Sequence, residues 1–149
     1  MTAESEADVE HSLESTWVLQ APLGQVWDNL CDPLCWPDWW PAIEQVERLK
    51  AGKSHGVEAL YRVNGEELRV CEVRPMERLE CHTTQALARW TLEYEEGHTF
   101  IHLSVWGCRD NAAFAKAMSA GARGLAEHLK VRLLEVGSWD AATDQTLFP

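Results

Sequence analysis

The chain has 149 residues, 46% of them hydrophobic and 25% charged, which supplies one globular core and leaves no length for several. A formal net charge of −11 excludes the basic face that phosphate-backbone binding requires, so nucleic acid is not an expected partner. No run approaches the roughly 20 apolar residues of a membrane-spanning helix, and the N-terminus has neither the basic nor the apolar region of a secretory signal. Five cysteines (Cys31, Cys35, Cys71, Cys81, Cys108), odd in number and irregular in spacing, then read as reduced, mostly buried thiols of a cytoplasmic protein.

Along the chain, residues 1–12 are polar and acidic and are expected to be a disordered tail before a single domain over 13–137. Glu14 to Gln20, with Trp17, Val18 and Leu19, reads as a first strand. Leu23, Val26, Trp27 and Leu30 then recur at helical spacing, with Pro22 suited to a first helical turn. Asp32-Pro33 stops that helix, because the residue before a proline is pushed out of the helical region. A second short helix is expected from near Pro37 to a break near Pro41, dense with Trp36, Trp39 and Trp40. Such a pair makes a wall or a lid. Apolar residues spaced by three in Ile43–Leu49 permit a helix on periodicity alone.

Val57–Val63 and Leu68–Val73 flank Asn64-Gly65, the strongest short hairpin signal, since both residues tolerate positive φ. Arg74-Pro75-Met76 turns the chain into a strand over Arg78–Thr84. A further hairpin is expected from Trp90–Tyr94 and Phe100–Trp106 around Glu95-Glu96-Gly97. Consecutive hairpins give an antiparallel sheet. From Ala112 to Val136 a stripe of Phe114, Ala117, Met118, Gly121, Ala122, Leu125, Leu129, Leu133 and Val136 predicts one long helix of roughly 37 Å. Gly121 and Gly124 inside it imply close approach or deliberate room, since an interior glycine costs about 1 kcal/mol relative to alanine. A tail over 138–149 carries Trp139, Leu147 and Phe148.

The run from Ala21 to Leu49, with Ala-Pro-x-x-x-Val-Trp followed by Asp-Pro-x-x-Trp-Pro-x-Trp-x-Pro, resembles the opening of the START/SRPBCC superfamily, the group of polyketide cyclase-like and birch-pollen-allergen-like proteins. Val73-Arg74-Pro75 to Leu79 and the long final helix follow the same order, and the resemblance spans about residues 14–136. It implies an α+β helix-grip fold. A curved antiparallel sheet of about six to seven strands would wrap a long C-terminal helix, with two short helices after the first strand. It also favours a strand over Ile43–Leu49, and a cavity for a hydrophobic or amphipathic small molecule.

The expected cavity wall comprises Trp36, Trp39, Trp40, Tyr61, Trp90, Leu92, Leu103, Phe114, Met118, Gly121 and Leu125. The bland alternative for the tryptophans is that they plug the open end of the sheet as core. Acid–base candidates are His82, His102, Tyr61, Arg62 and Glu72. A solvent-facing or hydrogen-bonded strand residue accounts for each more cheaply, and alternation alone does not say which strand face looks inward. Cys31 and Cys35 lack the second ligand pair that a metal site needs, and no nucleophile-elbow, P-loop or dinucleotide motif is present, so neither metal nor cofactor is expected. Three functions follow from different classes: a small-molecule binder or carrier, a cyclase or aromatase-like enzyme using the same cavity, and a protein-interaction module resembling the Hsp90 activators. The first requires least.

Overall fold

A computed structural model describes residues 12–107 and 111–140. The order is β1 (Ser12–Leu19), α1 (Leu23–Leu30), a 3-10 segment (Pro33–Asp38), β2 (Val46–Lys50), β3 (Leu60–Val63), β4 (Glu66–Arg74), β5 (Arg78–His82), β6 (Leu87–Glu95), β7 (His98–Trp106), α2 (Asn111–Leu129) and β8 (Leu133–Asp140). All eight strands form one antiparallel sheet in the order β2-β3-β4-β5-β6-β7-β1-β8. The acidic tail up to residue 11, Cys108, Leu147 and Phe148 lie outside the described residues.

Both hairpins form where turn chemistry puts them. Asn64 and Gly65 have φ of 50° and 87°, and Glu96 and Gly97 have 50° and 86°, the positive pair that a two-residue turn between twisted strands requires. Ile43–Leu49 contributes strand β2 and not a helix. β3 starts at Leu60, later than the expected Val57, because Ser54–Gly56 closes a 3-10 turn and Glu58 takes φ of 72°.

Two helical expectations are corrected. The second short helix begins at Pro33 and ends at Asp38, with Pro37 inside it. Asp32 is its cap, accepting from Leu34 N–H at 3.0 Å, so the proline that ends α1 also starts the next element. The final helix stops at Leu129, not Val136. Lys130 turns left-handed (φ 60°) and donates its N–H to Glu127, while Val131 donates back to Ala126 at 3.0 Å, a Schellman closure built on lysine in place of glycine. Leu133 and Val136 consequently belong to β8, which pairs with β1 and carries the sheet through Asp140, past the boundary expected at 137. This added strand raises the count to eight. It also puts Trp139 on a strand opposite Glu14.

Register settles which strand face looks inward. Trp17 lies opposite Ile101, which lies opposite Leu92; Leu103 lies opposite Trp90, which lies opposite Leu79; all six are buried. Met118, Ala122, Leu125 and Ala126 of α2 are buried as well. The backbone of α2 runs closest to β1 and β8. The inner face of the sheet from β3 to β6 instead borders Trp36, Trp40 and a cavity.

Candidate functional site

Five indoles meet at the centre. Trp17 approaches Trp39, Trp40 and Trp90 edge-on with centroids at 6.3, 6.4 and 5.4 Å, and Trp39 stacks on Trp40 at 5.3 Å. Trp36 lies 5.7 Å from Trp40 and 6.3 Å from Trp90. Such edge-to-face and offset pairs are the favourable aromatic geometries. Four of the five N–H groups are committed elsewhere: Trp36 donates to Leu30 C=O at 2.9 Å, Trp39 to Asn29 C=O at 3.1 Å, Trp40 to Ala117 C=O at 2.8 Å, and Trp17 to Ser15 Oγ at 2.8 Å.

The two interior glycines of α2 are where this segment touches the helix. A Cβ on Gly121 would lie 2.8 Å from Trp40 Nε1, and one on Gly124 would lie 1.8 Å from the Trp39 carbonyl oxygen. Of the two expected explanations, close approach is the one that applies.

Beside the cluster lies a cavity of about 400 Å³. Trp36, Trp40 and Trp90 form one wall, Leu103, Val105 and Phe114 continue it, and Ala42, Ala86, Ala88 and Ala117 leave the volume open by being small. Across the sheet, Val105, Ala88 and Cys81 form one row in register. The next row holds Leu103, Trp90 and Leu79, so a step from small to large side chains makes the floor. Exposed Ala42, Asn64, Glu66, Gln85 and Gly107 mark the mouth.

Of the expected wall residues, Trp36, Trp40, Trp90, Leu103 and Phe114 line this space. Trp39, Tyr61, Leu92, Met118 and Leu125 are buried in the surrounding core, and Gly121 sits behind Trp40. Small residues and the Asn64, Glu66, Thr83 and Gln85 rim had no sequence signal beyond the hairpin itself.

The acid–base candidates are not brought together. Four face away from the helix. Arg62 pairs with Glu47 at 3.4 Å, Glu72 with Arg74 at 2.8 Å, His82 is exposed opposite Arg69 and Leu87, and His102 lies beside Glu14. Tyr61 is turned inward and buried, and burial, helped by Asp32, raises its pKa above the ordinary tyrosine value. Burial likewise pushes the Cys81 thiol in the cavity wall far up, which keeps it protonated and inert. Among the described cysteines only Cys81 is buried, against the expectation of mostly buried thiols; Cys31 and Cys35 are half-buried, Cys71 is exposed, and all four are free. Among the described residues, no group of three or more His, Cys, Asp and Glu side chains is placed to hold a metal ion.

The outer face carries a polar cluster that sequence reading missed. Glu14 accepts from Ser12 Oγ at 2.6 Å and Ser104 Oγ at 2.7 Å, and its other contact is His102 Nε2 at 2.5 Å. His102 Nδ1 meets Thr16 Oγ1 at 3.1 Å. Burial raises the carboxyl pKa, but these hydrogen bonds and the charge on His102 outweigh it and leave the group below its ordinary value. A carboxylate with depressed folded pKa stabilises the protein above its unfolded pKa, and that contribution is lost as pH falls through the folded value. Glu14→Ala is expected to cost about 1–3 kcal/mol at pH 7 by orphaning these donors. Urea titrations at pH 7 and pH 3 check this: the gap from the parent protein should shrink at pH 3, and an equal gap at both pH values contradicts it.

No family model matches the chain, and no curated protein sequence does. Solved structures do. A START superfamily protein from Mycobacterium smegmatis superposes with a TM-score of 0.61 at 15% identity, covering 80% of this chain and 94% of that one. Ara h 8.0201 gives 0.60 at 13% identity, covering 80% and 97%. DynU16, a protein in the dynemicin biosynthetic locus, gives 0.65 at 19% identity, covering 80% of this chain and 47% of that one. Among the described residues no helix is long and apolar enough to cross a membrane. One antiparallel sheet, two short helical segments after β1 and a long helix against the sheet thus give this chain a helix-grip fold, similar to that of the START superfamily protein and of Ara h 8.0201.

Proposed function

We propose that the protein binds a hydrophobic or amphipathic small molecule in the cavity beside the tryptophan cluster, without transforming it. One observation carries this reading: about 400 Å³ of mostly apolar space lies inside a fold whose acid–base candidates, apart from buried Tyr61, point the other way. Protein interiors hold few voids larger than a water molecule. Ligand sites, by contrast, occupy about 300–1,000 Å³ and are lined mainly by hydrophobic and aromatic groups. The cyclase-like alternative draws on DynU16 belonging to the dynemicin biosynthetic locus, and among the described residues the one carboxylate at this cavity is Glu66, exposed at its mouth and without an acid–base partner among the lining side chains.

The test begins with native mass spectrometry of freshly purified protein beside its denatured mass and an organic extract. Titration with N-phenyl-1-naphthylamine, a neutral apolar probe, follows. Saturable binding is expected, weakened about tenfold or more in Ala88→Phe, which fills the cavity from its floor; tenfold corresponds to about 1.4 kcal/mol. Ala42→Phe, at the exposed mouth, does the same without loading the core. No adduct together with no saturable probe binding overturns the reading. So does binding that neither substitution changes.

A further inference from the structure

We infer that the cavity selects against anionic ligands and takes an apolar, preferably aromatic, body whose exposed end is cationic or neutral. The inference rests on the binding reading above and adds the ligand's charge class. Four observations carry it.

First, three lining groups are indoles, and two of these, Trp36 and Trp40, have their N–H groups bound to the carbonyls of Leu30 and Ala117. They offer the cavity ring surface in place of a donor. An indole face is electron-rich and attracts cations, most strongly where water is excluded. Second, two polar groups of the mouth, Asn64 and Thr83, already hold hydrogen bonds within the protein. Asn64 Nδ2 donates to Ala42 C=O at 2.7 Å, and its Oδ1 accepts from the N–H groups of Glu44 and Gln45 at 2.8 and 3.1 Å. Thr83 Oγ1 accepts from the N–H groups of Gln85 and Ala86 at 3.2 and 3.0 Å and lies 3.4 Å from Ala86 C=O.

Third, the charged group at the mouth is Glu66, an exposed carboxylate at the start of β4 across the hairpin from Val63. Fourth, among the described residues no Lys, Arg or His lines the space. A carboxylate or sulfonate entering here would give up hydration, find no charged donor, and sit against π-density and a like charge. An ammonium would meet both favourable partners. The opposing contribution is the positive end of the α2 dipole, felt near Phe114 in the first turn and fading within that turn.

The test uses three ligands with one naphthalene body: 1-naphthylmethylamine (a cation at pH 7), 1-naphthalenemethanol (neutral) and 1-naphthoate (an anion). Each competes with N-phenyl-1-naphthylamine on the full chain at physiological ionic strength. The amine is expected to displace the probe at roughly tenfold lower concentration than the naphthoate, with the alcohol between them. Glu66→Gln should narrow the gap between amine and alcohol about threefold or more, as removal of one nearby charge requires. Naphthoate competing as well as the amine overturns the inference while leaving the cavity reading intact. An amine–alcohol gap unchanged in Glu66→Gln overturns the part assigned to that carboxylate. A probe that does not bind at all overturns the binding reading itself.

Discussion

Gly124→Ala is expected to destabilise the protein by about 3 kcal/mol and lower Tm by roughly 6–12 °C, against the direction helix propensity gives. In an open helix the same change would gain about 1 kcal/mol. Here the new methyl carbon would lie 1.8 Å from the Trp39 carbonyl oxygen, a backbone atom that cannot swing aside. Relief requires the Trp39–Trp40 segment to lift off α2, which loosens the 5.3 Å stack and strains the Trp40 bond to Ala117. Gly121→Ala is the informative companion. Its nearest neighbour, at 2.8 Å, is the Trp40 indole, a side chain that can yield. It should cost less stability and yet disturb probe binding, because Trp40 lines the cavity. Differential scanning calorimetry of both variants decides, and a Gly124→Ala protein with unchanged or raised Tm contradicts the contact.

How far such contacts are legible from sequence depends on whether the signal is local. Asn64-Gly65 and Gly97 declare their turns because tolerance of positive φ is a property of asparagine and glycine themselves; Glu96 follows its glycine into the turn. The end of α2 does not declare itself. Lysine stands where glycine usually closes a helix, and Leu133 and Val136 continue the three-and-four spacing of the stripe by coincidence. The helical reading thus ran through the break, and β8 went unseen. Strand β7 is apolar on both faces, with Phe100 and Trp106 on one side and Ile101, Leu103 and Val105 on the other, so only its pairing with β6 and β1 orients it. Once it is oriented, His102 goes outward with Glu14.

The cavity was half legible for a related reason. Large aromatics attract attention as walls, whereas volume comes from what is small. Ala42, Ala86, Ala88 and Ala117 carry no pattern that separates them from ordinary core or surface alanines. Trp39 and Trp40 are adjacent in sequence and both buried, yet only Trp40 reaches the cavity. That division depends on the turn after the 3-10 segment, where Trp39 and Trp40 both donate backbone N–H groups to Trp36 C=O. No single-residue property encodes it.

Trp17 and Trp90 convert this division between core and wall into the second large prediction. Both are almost wholly buried and stand 5.4 Å apart, edge to face. Truncating either to alanine should cost about 3–5 kcal/mol, the range for large aromatic side chains removed from a packed interior. That is a large fraction of a typical domain stability of about 5–15 kcal/mol, so Trp17→Phe and Trp90→Phe accompany them as milder steps. Their consequences for binding should differ. Trp90 lines the cavity, and its loss opens the floor toward Leu79 and Leu103, enlarging the space and changing N-phenyl-1-naphthylamine affinity about tenfold. Trp17 stands behind it, with its N–H held by Ser15 and its edges against Trp39 and Trp40. The void it leaves is separated from the cavity by the Trp40 and Trp90 rings. Stability should fall in both variants while probe affinity moves only for Trp90. Equal affinity changes in the two phenylalanine variants, each measured where the protein remains folded, would mean that the cluster yields as one body and that core and wall are not distinct here.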